Sequence, residues 1–360
     1  MNTKSSKTST IHVGVIGVGI GALHISAYQL LPGVKVEAIC DIDEQRGQAA
    51  AKQFNVDKFY NHSSAMFADP KIDAVSICVP NDFHASISVA AVKAGKHVLC
   101  EKPIANTLAN AHVIADVARE ATAAGKVFMM GMCNRFRGDT QVLRKFIENG
   151  TLGEIYHAKC GYIRRAGIPG FGGWFTTKQR SGGGPMIDIG VHVLDQTMYL
   201  MGNPVPVSVS GVAHAKFGPR GLGTSSWGAP VTEEMKTFDV EDFALGFVKF
   251  SNGATLTIEA SWASHIKNDL YYSNILGTEG GADLDPLTIY RTENGTPVDI
   301  TPKVPVVNVH DTEIAHFIEC IRTGSSPISP AQHALHVFQI IDAIYRSSES
   351  GRDELIGSPS

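Results

Sequence analysis

The sequence predicts an α/β protein of two domains, an N-terminal parallel sheet covered by helices on both faces and a C-terminal part built on longer strands. Three observations predict it. At 360 residues the chain exceeds what one hydrophobic core usually organises, and 43% apolar against 18% charged side chains is the composition of folded domains. From Ile11 onward short apolar strands alternate with helical stretches, the pattern of a parallel sheet. After about Asn134 longer strands of alternating character replace them, most clearly in "DFALGFVKFSNGATLTIEASWAS". The expected divisions are a disordered tail over 1–10, a first domain over 11–133 and a second over 134–360.

The first unit, "IHVGVIGVGIGALHISAYQLLPGVKVEAICDID", reads as strand, glycine turn, helix and a second strand closed by Asp41. Gly17, Gly19 and Gly21 follow the strand directly and open the helix, the context in which such glycines cradle a pyrophosphate. Gly17 permits the tight turn, Gly19 lets the backbone approach the phosphates, and the Ile20–Gly21 amides begin the helix whose positive end faces them. In G-x-G-x-x-G the third small residue is Ala22, whereas Gly21 comes one place early, so a shortened turn is expected. Asp41, 24 residues past Gly17, is placed to bond the adenosine ribose and repel a 2′-phosphate. The expected cofactor is therefore NAD, with NADP possible because the nearby Arg46 suits a phosphate.

Further strands are expected around Phe59 and Tyr60 and at "DAVSICVP", "KHVLCEKP" and "KVFMMGMC". Ligands of open parallel sheets collect at the carboxyl ends of strands, which draws Asn81, His84, Glu101 and Lys102 toward the cofactor. For His84 a helix-start residue bonded to backbone is an equal reading. Lys102, at the mouth of a buried strand, has to face solvent or a ligand. In the second domain Asn252 and Gly253 mark a hairpin. Its second arm alternates Thr255, Thr257 and Glu259 with Leu256, Ile258, Ala260 and Trp262, while its first arm is largely apolar on both faces. Such a sheet needs covering twice, by its own helices and by another subunit, so a homo-oligomer (dimer or tetramer) is expected. Helical text from Asp311 to Ser350, broken by "RTGSSPISP", closes the chain.

Charge excludes some partners. With 31 basic and 35 acidic side chains the net charge is −4, and no global basic field exists to draw nucleic acid or an anionic membrane. No run approaches the roughly 18 apolar residues of a membrane span, and "MNTKSSKTST" lacks the apolar core of a secretory signal. The six cysteines form no CxxC pair and sit mostly in apolar strings, as buried thiols of a reducing compartment do. A cytoplasmic protein with a small, neutral or weakly charged ligand fits these facts.

"SGGGPMIDIGVHVLD" carries the densest chemistry. Gly182, Gly183 and Gly184 let a helix start against a bulky ligand, and Pro185 suits the first helical turn. On that helix Asp188, His192 and Asp195 fall at i, i+4 and i+7, on one face. An ordinary surface charge stripe has the same period, and the three glycines argue against it. A metal site is not expected, because no second histidine or cysteine stands at ligand spacing.

"GKHVLCEKP", "GGGPMIDIGVHVLD" and "DVEDFALGFVKFSNGATLTIEASW" resemble the glucose-fructose oxidoreductase and inositol dehydrogenase-like (Gfo/Idh/MocA) family, and the likeness runs from about Ile11 to near Ser350. The resemblance implies an N-terminal Rossmann domain, a C-terminal α/β domain with an open, mostly antiparallel sheet used in oligomer contacts, and NAD(P)-dependent oxidoreduction of sugars, polyols or their derivatives. It puts the catalytic lysine, aspartate and histidine on Lys102, Asp188 and His192. The family's G-x-G-x-x-G-x-x-H start is matched with His24 one residue early. In this reading His192 is the acid/base, since a histidine titrates near neutral pH, Lys102 favours negative charge on the reacting oxygen, and Asp188 bonds substrate or orients the imidazole. Asp195 is the weaker candidate.

The loop "YIRRAGIPGFGGWFTTKQR" contributes Tyr162, Arg164, Arg165, Trp174 and Lys178 to a substrate pocket for a sugar, polyol or glycoside. Trp174 either stacks on a sugar ring or anchors its own loop; Arg135 and His265 are further possible lining residues. Two other functions compete with a dehydrogenase. One is an NAD-dependent glycosidase or lyase that oxidises transiently, eliminates and reduces again, and the other is a non-catalytic NAD-binding regulator.

Overall fold

A computed structural model describes residues 10–224 and 237–357, so the tail expected over 1–10 lies outside the described residues except for Thr10. Six strands, β1 (Ile11–Ile16), β2 (Val34–Cys40), β3 (Lys58–Tyr60), β4 (Ala74–Ile77), β5 (His97–Glu101) and β6 (Phe128–Gly131), form one parallel sheet in the order β3-β2-β1-β4-β5-β6. Four of them are short and almost wholly buried, as strands covered on both faces must be. Helices α1 (Gly21–Gln29), α2 (Glu44–Gln53), α3 (Ser63–Ala68), α4 (His84–Lys93) and α5 (Leu108–Ala123) connect them. The order reverses between β1 and β4, and that switch point is where such sheets bind ligands.

After α6 (Gly138–Glu148) come β7 (Ile155–Ile163), the single turn α7 (Lys178–Ser181), α8 (Val191–Leu200), β8 (Pro206–His214), β9 (Phe243–Phe250) and β10 (Thr255–Ser261). Then follow β11 (Leu270–Gly277), β12 (Gly280–Leu284), β13 (Leu287–Glu293), β14 (Thr296–Ile300), α9 (Val309–Thr323), α10 (Ala331–Ser350) and β15 (Glu354–Leu355). The second sheet has the order β14-β13-β12-β11-β7-β10-β9-β8-β15 and is antiparallel apart from the β7–β10 pair. Asn252 and Gly253 lie in the turn between β9 and β10, with Gly253 at φ +85°. Leu256, Ile258 and Ala260 face inward, where α8 and α10 cover the sheet. Val207, Val212 and Leu245 remain exposed on it.

Two contacts seat one sheet on the other. Ile314, Phe317, Ile318 and Cys320 of α9 join the core of the first sheet beside Tyr28 and Leu99, although α9 follows the second sheet in the chain. Met130 of β6 bonds Ser329 in both directions, just before α10. The ends of β5 and of the segment before α8 therefore come together.

Candidate active site

At the first glycine turn Gly17 has φ +86°, and a side chain there would run into the Cys78 carbonyl. Nothing lies within 4 Å of where a Cβ of Gly19 would stand, so a phosphate has room against the backbone. A Cβ at Gly21 would meet Val15 at 2.9 Å. Gly21 thus does the helix-against-strand packing expected of the third glycine, one residue early, while Ala22 is half-buried. The shortened turn keeps a cradle that fits a dinucleotide pyrophosphate, with Gly17, Gly19 and Ile20 at its rim.

Asp41 ends β2 beside this turn. Its carboxylate accepts from the amides of Val18 (3.1 Å) and Asp43 (2.9 Å) and forms a two-pronged ion pair with Arg46 at 2.6 and 3.1 Å. Burial opposes the charge, but Arg46 and the two amides outweigh it and hold Asp41 below the ordinary aspartate range. Arg46 is half-exposed on its other side, so the residue that would greet a 2′-phosphate is already tied to the residue that would repel it.

At the other strand ends the sequence candidates separate. The Asn81 side chain donates to Ser181 O at 2.8 Å and ties the first domain to the glycine run. His84 is fully buried with its nitrogens on Pro103 O (2.8 Å) and Val79 O (2.9 Å), holding the ends of β4 and β5 together. Burial lowers its pKa against the pull of those carbonyls. Glu101 is buried, bonded to His24 Nε2 at 2.9 Å and to the Lys102 amide at 3.2 Å. Lys102 also turns toward the second domain, and its Nζ lies 3.1 Å from Asp188 O and 3.4 Å from Asp188 Oδ1.

The glycine run performs a different task from the one expected. Gly182 takes φ +90°, a side chain at Gly183 would strike the Tyr345 ring, and one at Gly184 would strike the Glu241 backbone. These glycines admit protein neighbours, not a ligand. Glu241 then caps the turn, accepting from Gly184 N (2.8 Å), Met186 N (3.2 Å) and Tyr345 Oη (2.8 Å). Its burial still outweighs these hydrogen bonds and raises its pKa. Residues Met186–Gly190 form a wide π-type turn before α8, not the regular helix expected.

Asp188 sits in that turn, with Trp262 Nε1 donating to its Oδ2 at 3.0 Å and Lys102 on its other oxygen. His192 lies one turn on. Desolvation, then the positive charge of Lys102, with lesser repulsion from His310 and Arg164, hold its pKa well below the ordinary histidine value. Asp195 shares none of these partners: it is buried and paired with Arg135 at 2.6 and 2.8 Å. Arg135 is itself wholly buried, bonded also to Ile328 O, so its expected place in a substrate pocket is corrected to a structural ion pair.

Of the loop residues, Arg164 stands 4.8 Å over the Tyr162 ring and donates to its hydroxyl, at the carboxyl end of β7. Trp174 is half-buried and stacked on Phe175 at 3.8 Å. Lys178 is exposed. Arg165 and His265 line a cleft of about 540 Å³ with Phe217 and Lys267, and that lining includes none of Lys102, Asp188 and His192. Trp262 and Glu241 are the residues sequence reasoning passed over. Trp262 reads as core, and it is core; only its indole N–H reveals the second role.

A parallel sheet with a dinucleotide cradle thus meets a lysine–aspartate–histidine cluster supplied by both domains. Residues 11–132 match the family described as "Oxidoreductase family, NAD-binding Rossmann fold", and residues 140–283 match the "GFO/IDH/MocA C-terminal domain". The chain is 35% identical to D-glucoside 3-dehydrogenase of Escherichia coli over 97% of this chain and 98% of that one. It is 26% identical to scyllo-inositol 2-dehydrogenase (NAD(+)) of Bacillus subtilis, over 88% of each chain. Among solved structures, levoglucosan dehydrogenase in complex with NADH and levoglucosan superposes with a TM-score of 0.83 at 24% identity, covering 97% of this chain and all of that one. The family matches along both domains, the full-length kinship and the cradle described above agree: this chain belongs to the GFO/IDH/MocA family and is an NAD-dependent oxidoreductase.

Proposed function

We propose that the protein oxidises a secondary hydroxyl of a glycoside or free sugar, or runs the reverse reduction, with the 3-hydroxyl of a D-glucoside as the first substrate to test. The observation that carries this reading is the Lys102 ammonium held against Asp188 beside a half-buried His192 that its surroundings keep neutral. Bound NAD supplies the hydride acceptor. His192 takes the hydroxyl proton, since a neutral imidazole has a free lone pair. Lys102 stabilises negative charge on the same oxygen. Asp188 holds the ammonium in place and is itself held by Trp262. Asp41 accepts from the adenosine ribose once Arg46 withdraws one of its N–H donors from the carboxylate, which favours NAD. Tyr162, Arg164 and Trp174 are proposed to meet the sugar, their rings offering apolar faces and Arg164 its donors.

The identity with a D-glucoside dehydrogenase supports a glycoside over an inositol. The exposed Val207, Val212 and Leu245 of the second sheet support association with a second copy through that sheet. Six free, buried cysteines suit a reducing, cytoplasmic setting. The test is a panel of methyl glucosides, free sugars and inositols, each with NAD and with NADP, monitored both for NADH and for product. Net NADH with a glucoside supports the proposal. Glycoside cleavage without net NADH favours transient oxidation followed by elimination, and no turnover of any compound would leave only a nucleotide-binding role.

A further inference from the structure

Beneath Glu101 and Lys102, α9 brings His310 and Glu313 against His24 of α1. One ligand atom from each of the three lies within 4.8 Å of the others. Glu313 is fully buried, and neither of its oxygens has a hydrogen-bond partner among the described residues; Nδ1 of His310 has none either. The gap from that nitrogen to Glu313 Oε2 is 3.8 Å, too wide for an N–H···O bond of about 3 Å. His24 bonds Ser76 Oγ at 3.1 Å through one nitrogen and Glu101 Oε1 at 2.9 Å through the other. Two buried carboxyl groups therefore share a space whose nearest cation-forming side chains are histidines, because the Lys102 side chain is turned to Asp188 while only its amide reaches Glu101.

A single proton cannot join atoms so spaced. A metal ion can: ligand atoms each about 2.0–2.2 Å from a tetrahedral zinc stand roughly 3.3–3.6 Å apart. Gaps of 3.8 to 4.8 Å thus close with side-chain movements of about 1 Å, and His310, the least buried of the three, lies near the start of its helix. A 2+ ion also balances two carboxylates, and imidazole with carboxylate is a donor set that zinc accepts. We propose that His24, His310 and Glu313 form a zinc-class divalent metal site, with the Glu101 carboxylate released from His24 to complete it, that pins α9 to α1 under the Lys102 segment. This site is distinct from the Asp188, His192 and Asp195 set in which sequence spacing argued against a metal.

The test uses the full chain, stripped with chelator, dialysed and titrated with Zn²⁺ alone and separately with Co²⁺. One zinc retained per chain after gel filtration, a raised thermal midpoint and cobalt absorption bands of a low-coordinate nitrogen–oxygen site are expected. His310→Ala and Glu313→Gln should each lose the ion and the thermal increment. If Glu313→Gln fails to fold, His310→Ala carries the comparison. Wild-type protein that retains no metal and shows no thermal shift overturns the proposal, and so do variants that keep the ion.

Discussion

At the glycine turn, the groups proposed to meet the adenosine half of a dinucleotide come from one contiguous βαβ unit running from Gly17 to Arg46. The lysine end is built otherwise: Lys102 comes from just past β5, Asp188 from the turn before α8, His192 from the first turn of α8, and Trp262 from just past β10. The first region is held by backbone amides that form whenever the unit folds. The second exists only when the two sheets are seated on each other, through contacts such as Met130 with Ser329 and Asn81 with Ser181. Damage at the first end should change how tightly the cofactor binds, and damage at the second should stop chemistry while leaving that binding intact.

The largest effect expected is at the lysine end. His192→Asn and Lys102→Ala should each lower kcat by about 10²–10⁴-fold, with NAD affinity by fluorescence titration kept within a few-fold. Loss of NAD binding in Lys102→Ala would instead assign the lysine to the cofactor and erase the contrast. Trp262→Phe should lower kcat/KM by about 10-fold or more, because it removes one N–H donor from a charged acceptor, worth about 1.5–3 kcal/mol. A Trp262→Phe enzyme with normal kinetics but a lowered thermal midpoint would reduce the indole to packing.

Asp41→Ala should weaken NAD by roughly 10-fold and raise the use of NADP relative to NAD, since the same change removes a ribose acceptor and frees Arg46. An unchanged ratio of kcat/KM for the two cofactors would count against the ribose assignment. The smallest effect is on stability. Burial first, with Lys126 beside His97 and Arg135 beside His333, brings both histidines down to about 4. Unfolded, each titrates near 6.5, so their contribution is complete above that value and is lost as pH falls toward 4. The thermal midpoint should drop through this window, and His97→Asn, which keeps no titrating group on the Val127 amide, should shallow the drop by a degree or two.

The parts of this architecture that were legible were those in which neighbours in sequence are neighbours in space. Gly17, Gly19 and Asp41 are read from a strand, a turn and a second strand, and Asn252–Gly253 from the period on either side of it. Lys102 stood out by its place at the mouth of a strand and Asp188 and His192 by their spacing after the glycines, while the roles expected of them came from the family resemblance. Arg135 was misread because a buried guanidinium and a pocket guanidinium look alike in a sequence; its partner Asp195 is 60 positions away. The glycines 183 and 184 were misread for a similar reason, since Tyr345 and Glu241, which occupy the space a Cβ would need, are distant in the chain.

By itself the sequence determined the alternation of strands and helices, the glycine cradle and the acid that closes β2, because hydrophobic periodicity and backbone freedom act over a few residues. Only the tertiary structure decided that Asp188 would be gripped by Trp262 and Lys102, that Asp195 would be spent on Arg135, and that His24, His310 and Glu313 would face one another. Those outcomes depend on which side chains share a buried space once water has left it, and buried polar groups then bond whichever partner packing has brought within reach.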